Sequence, residues 1–112
     1  MSKFEKTINQ PVPHLAFELD QAIVNSAMSM KLVDESVIEV YPYKISVRVY
    51  DKYFMRNSSR ASLSLTIVED GRSTHVVAIG SGGGQGVIFN FSWGAENELV
   101  NDVQRLIEKM GY

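Results

Sequence analysis

The sequence contains no cysteine, which excludes a disulfide framework, a thiol nucleophile and any thiolate metal site. It has only 2 histidines and 3 prolines, so a histidine-rich metal centre is out of reach. No apolar run approaches the roughly 20 residues that a membrane-spanning helix requires, and residues 1–10 lack the apolar stretch of a signal peptide. Neither sign of charge dominates: 11 Lys+Arg against 13 Asp+Glu leave a net charge of -2. Nucleic-acid binding driven by bulk charge needs a basic surface and is not expected here. What is present is 112 residues, 45% of them hydrophobic. That is enough for one domain spanning 1–112 with a core that needs no covalent staples. The expected setting is soluble and cytoplasmic, with no membrane.

Periodicity gives the order of elements. Phe4 and Ile8 share a face of a short alternating strand in Lys3–Ile8. Pro11 and Pro13 then suit the approach to a helix, and Val12, Leu15, Ala16, Leu19, Ala22 and Ile23 make one stripe, predicting a helix over Val12–Asn25. Phe17 and Val24 lie off that stripe. They read either as a flank covered by a loop or as a small apolar patch used for association. Met28, Met30 and Leu32 alternate with polar or smaller neighbours, and Val37–Tyr41 predicts a short strand broken at Pro42. In Lys44–Tyr50, Ile45, Val47 and Val49 point one way, and Lys44, Ser46, Arg48 and Tyr50 the other. Ala61, Leu63, Leu65 and Ile67 alternate with Ser62, Ser64 and Thr66, as in a half-buried antiparallel strand.

Asp70-Gly71 predicts a hairpin with a two-residue turn. Glu69 then faces Arg72, Ile67 faces Thr74, Leu65 faces Val76 and Leu63 faces Ala78. One sheet face carries Leu63, Leu65, Ile67, Val76 and Ala78. The other carries Ser64, Thr66, His75, Val77 and Ile79. Two aliphatics on a face that should be wet make Val77 and Ile79 candidates for an interface, with Phe17 and Val24 beside them on the list of exposed apolar positions. The glycine run from Gly80 to Gly86 interrupts the pattern, and Val87–Phe91 resumes as an extended stretch. Ser92 is placed as the N-cap of a closing helix, with Leu99, Val100, Val103, Leu106, Ile107 and Met110 as its stripe and Gly111 as its left-handed terminus.

No catalytic motif is found. The glycine run lacks both a following Gly-Lys-Ser/Thr and the G-x-G-x-x-G spacing that would cradle a phosphate, and it reads as a sharp bend or bulge. The other reading is a flap over a pocket, which makes Gly82, Gly83, Gly84, Gly86 and Trp93 the candidate ligand region. Ser81 and Ser92 lack the flanking glycines of a nucleophile elbow. His14 and Glu18 share a helix face one turn apart, a spacing that surface pairs commonly have, and no metal or cofactor is expected. The tyrosines and basic residues from Tyr41 to Arg60 read as cover for a sheet edge and not as a stacking platform.

Phe4-Glu5-Lys6-Thr7-Ile8, followed by Pro11-Val12-Pro13 and a helix, resembles the opening of the START-like, helix-grip proteins. That resemblance implies an antiparallel sheet closed off by a long C-terminal helix, for which Trp93–Met110 has the right place. As a whole, including the glycine run up to Trp93-Gly94, the chain is similar to small bacterial proteins grouped as a family of unknown function. The expected architecture is α+β: a curved antiparallel sheet of four to six strands with two helices on one face. The expected role is a non-enzymatic module that self-associates into a homo-oligomer or binds another protein. The alternative is a protein holding a small apolar ligand between the sheet and the C-terminal helix.

Overall fold

The structure, a computed structural model, describes residues 2–25, 30–54, 59–82 and 92–112. In chain order the elements are β1 (Ser2–Ile8), α1 (Leu15–Val24), β2 (Lys31–Val40), β3 (Tyr43–Phe54), β4 (Ser59–Glu69), β5 (Thr74–Gly82) and α2 (Ser92–Lys109). The five strands form one antiparallel sheet in the order β1-β5-β4-β3-β2. Among the described residues the sheet is open, with β1 and β2 as its edges. This is the expected α+β class. β1 pairs with β5, so the first and last of the described strands lie side by side.

One core joins the sheet to the helices. Leu15, Leu19 and Ile23 recur every fourth residue and are buried along α1. Leu99, Val100, Val103 and Ile107 do the same along α2. They meet Leu63, Leu65 and Ile67 of β4, Val76 and Ala78 of β5, Ile8 of β1 and Tyr50 of β3 in a single cluster. α2 lies across β4, β5 and β1 and against α1. Each fully buried aliphatic contributes about 1.5–3 kcal/mol relative to exposure. Both helices are therefore held by the face that the alternation of β4 and β5 predicts to be buried.

Several boundaries differ from expectation for local reasons. α1 begins at Leu15 because Pro13 and His14 form a turn, but Val12 still joins the core. Its N–H donates to Thr74 Oγ1 (3.1 Å), whose hydroxyl donates to the Gln10 carbonyl (3.1 Å), so the chain before α1 is tied to β5. The two strand fragments expected around residues 28–41 are one strand, β2, with a register shift between Leu32 and Asp34. α2 begins at Ser92, whose side chain lies outside the described residues, and Gly111 holds the expected positive φ, at 97°. Gly80, Ser81 and Gly82 do not interrupt β5 but continue it, opposite Leu63, Ser62 and Ala61. Gly83, Gly84, Gly86 and the stretch 87–91 lie outside the described residues.

The β4–β5 turn is longer than the Asp-Gly signal implies. Glu69 pairs with Thr74, Ile67 with Val76, Leu65 with Ala78 and Leu63 with Gly80. The register is thus shifted by two residues from the expected one, and an even shift keeps every side chain on its expected face. Arg72 sits in the turn and does not oppose Glu69. Asp70 causes this: its Oδ1 accepts from the N–H groups of Ser73 (2.7 Å) and Arg72 (2.9 Å), and its own N–H donates to the Ser73 carbonyl (3.2 Å). Only Gly71 needs a positive φ, at 90°. The backbone N–H groups of Ser73 and Arg72 hold the Asp70 carboxyl well below the usual carboxylate range. A depressed folded-state pKa contributes stability above the unfolded value of about 3.9, and that contribution is lost as pH falls below it. Asp70→Ala is therefore expected to lower the melting temperature at pH 7, by a deficit that narrows in melts below about pH 4. A deficit independent of pH would contradict this role of the charge.

Candidate interaction surface

The pairing registers assign every strand residue to one of two faces. The helix-covered face of β3 carries Ser46, Arg48, Tyr50 and Lys52, opposite Ile67, Leu65, Leu63 and Ala61. Its apolar residues Ile45, Val47 and Val49 consequently point away from the helices. The hydrophobic parity of the sheet inverts between β4 and β3. β4 turns its leucines inward, and β3 turns its valines outward.

The open face is built from rows that run straight across the sheet. One row reads Lys3, Ile79, Ser64, Val49, Asp34. The next reads Glu5, Val77, Thr66, Val47, Ser36, and a third reads Thr7, His75, Val68, Ile45, Ile38. Val40 and Tyr43 continue the face at the β2–β3 end. Ile45, Val47, Val49, Val68, Val77 and Ile79 are half-buried by their neighbours alone, while Ile38 and Val40 are 47% and 62% exposed. Among the described residues the helices pack on the other face. Aliphatics on four adjacent strands make a contiguous patch larger than the single exposed side chains that any surface carries.

The two edges differ in charge. β2 carries Asp34, Glu35 and Glu39, which discourage one copy of this edge from pairing with another. β1 carries Lys3 and Lys6 with Glu5. On the open face Lys3 pairs with Glu5 at 3.0 Å, both well exposed. Lys6, on the helix side, donates to the carbonyl of Tyr112 and ties the C-terminus to β1. His75 lies beside Thr7 (3.0 Å) and 3.5 Å from Asp70.

The polar helix-side face of β3 is served by α1. Asp20 accepts from the Tyr50 hydroxyl at 2.6 Å and pairs with Arg48 at 3.2 Å, while Arg48 reaches Glu35 of β2 at 3.0 Å. Arg48 and Asp20 side chains are only 13% and 14% exposed. The Arg48 Nε is buried without a partner among the described residues. Burial first, and then the hydrogen bond to Asp20, push the Tyr50 phenol well above the ordinary tyrosine range. A raised folded-state value contributes stability that is complete below the unfolded pKa of about 10 and is lost as pH rises above it. Wild-type stability is expected to fall more steeply above about pH 10 than that of Tyr50→Phe, which costs about 1 kcal/mol at neutral pH. Parallel alkaline profiles in chemical denaturation would refute the assignment.

The sequence candidates separate in space. Val77 and Ile79 fall in the centre of the open face. Phe17 and Val24 are exposed, at 61% and 42%, on α1 and so belong to the opposite side of the sheet. Gly82 ends β5, and Trp93 falls in the first turn of α2 with its side chain outside the described residues. Gly83, Gly84 and Gly86 also lie outside them. A cavity of about 140 Å³ lies between the two helices, lined by Ile23, Met30, Leu99, Val103 and Leu106, with Asp102 and Arg105 also at its wall. Among the described residues no three His, Cys, Asp or Glu side chains gather as a metal site, and no helix is long and apolar enough to cross a membrane. Missed by the sequence reading were Ile45, Val47, Val49, Val68, Ile38 and Val40 as members of the same surface. The available signal was the alternation of β3, which separates its faces without saying which one the helices cover.

A family model matches residues 1–111. The chain belongs to the family of unknown function DUF6054. That span takes in all five strands and both helices, so the open face lies wholly within DUF6054. Neither the curated proteins nor the solved structures contain a match to this DUF6054 chain.

Proposed function

We infer that this protein is a non-catalytic module whose activity is association, and that its open sheet face is the binding surface for a second copy of the chain. The inverted parity of β3 carries the reading. It turns Ile45, Val47 and Val49 toward the same side as Val77 and Ile79, where no helix of the described structure lies. Leaving a β-branched stripe in water gives up burial energy of about 25 cal/mol per Å², which a second layer recovers.

The area suits a dimer. Five strands at about 4.8 Å spacing and the 9 residues of β5 at about 3.3 Å each give roughly 700 Å² of face per copy. Two copies then bury roughly 1,400 Å², within the standard range for a specific protein interface. The polar groups of the other face support the same reading. Asp20, Arg48, Glu35 and Tyr50 pair with one another on the helix side, and the open face is left as the more apolar surface of β3. Light scattering through a dilution series tests it. A mass of about twice 12.6 kDa at high concentration, falling toward 12.6 kDa on dilution, is expected. A single species of 12.6 kDa up to high micromolar concentration would overturn the reading.

A further inference from the structure

Resting on that reading, we propose that the two copies stack face to face about a two-fold axis that runs along β4, parallel to the strands, so that β1 of each copy lies over β2 of the other and β5 lies over β3. Two in-plane axes are available to a pair of stacked sheets. They differ in what they superpose. An axis along the strands keeps each row at its own level and exchanges the left and right of the sheet. An axis across the strands keeps β1 over β1 and reverses the order of rows.

The rows discriminate between these. The first two match aliphatic to aliphatic about β4, with Glu5 over the partner's Ser36, while the third sets Thr7 over Ile38 and His75 over Ile45. In the first, Lys3 and Asp34 occupy opposite ends, so the strand-parallel axis sets each lysine over the partner's aspartate. Ile79 then meets the partner's Val49. In the second, Val77 meets the partner's Val47. The central positions Ser64, Thr66 and Val68 of β4 lie over their own copies, the first two as small residues between Ile79 and Val77 on one side and Val49 and Val47 on the other. The alternative axis through Thr66 sets Glu5 over the partner's Glu5 and buries Asp34 over the partner's Ile38, a like-charge contact and an unpaired charge. Lys3 is free to make the change of partner: its present ion pair with Glu5 is well exposed and weak. Stacked sheets cross at about 30°, which at the edge strands displaces one copy by about 5 Å. A lysine stem spans that offset.

The absence of cysteine makes the arrangement testable by cross-linking. The variant Lys3→Cys/Asp34→Cys, first shown to be dimeric by light scattering, is treated with a bis-maleimide of short span and run on a denaturing gel. A covalent dimer is expected in high yield from the double variant and not from Lys3→Cys, Asp34→Cys or Glu5→Cys alone. Cross-linking of Glu5→Cys to itself, or none in a dimeric double variant, would overturn this axis while leaving the association intact. A wild-type protein that is monomeric by light scattering would remove both the axis and the reading beneath it.

Discussion

Val77→Lys is expected to dissociate the protein into monomers at concentrations where the wild type is dimeric. Val77 sits on the open face in the row Glu5, Val77, Thr66, Val47, Ser36 and is half-buried by its own sheet alone. In a monomer a lysine there lays its stem along Ile79 and Thr66 and keeps its ammonium in water, at little cost to folding. Against a second sheet the same ammonium is buried without a partner. Penalties of about 3 kcal/mol or more follow, equivalent to a rise of about 100-fold in the dissociation constant. Val47→Lys, across β4 in the same row, is expected to behave likewise. Phe17→Lys on α1 serves as the control: it too replaces an exposed apolar residue, but on the helix side, and leaves the mass unchanged. Analytical ultracentrifugation of the three variants, with thermal melts to confirm folding, reads the result. A dimer that survives Val77→Lys and Val47→Lys would place the interface elsewhere.

Asp20→Ala is expected to be the most destabilising substitution of a charged residue. It removes at once the acceptor of the Tyr50 hydroxyl and the more buried counter-charge of Arg48. The remaining partner of Arg48 is Glu35, whose side chain is 46% exposed and correspondingly screened. Removing one member of a buried pair costs about 3–5 kcal/mol, and the residual exposure of Asp20 and Arg48 puts this site near the lower end. About 3 kcal/mol corresponds to a fall of roughly 10–15 °C in melting temperature for a domain of this size. Tyr50→Phe, which leaves the ion pair intact, is expected to cost a third as much. Equal losses from both variants would mean that the hydroxyl, and not the charge, carries the site.

Short-range pattern was enough for the parts of the fold that depend on one element at a time. The stripe of α1, the stripe of α2 with Gly111 at its end, and the inward leucines of β4 each follow from spacing within a single segment. The Asp-Gly signal located the turn, but its length depends on Asp70 capping two N–H groups, and a dipeptide does not show that. The outward valines of β3 lay beyond reach for a different reason. Alternation defines two faces, and which of them is inside depends on the register with β4, a relation between strands. Asp20 meeting Arg48 and Tyr50 is likewise a contact between elements about 30 residues apart. Val77 and Ile79 stood out because their neighbours Thr66 and His75 are polar. Ile45, Val47 and Val49 fall together on one face of their strand, with nothing in the segment to say whether that face is inside.

The proposed dimer sets the open face of one copy on the open face of another. Isotope-filtered nuclear Overhauser spectroscopy on a mixture of labelled and unlabelled protein reads contacts between copies and nothing else. With the two-fold along β4, methyl contacts are expected between Val77 of one copy and Val47 of the other, and between Ile79 and Val49. Intermolecular contacts confined to Phe17 and Val24 of α1, or none in a sample that light scattering shows to be dimeric, would contradict the account.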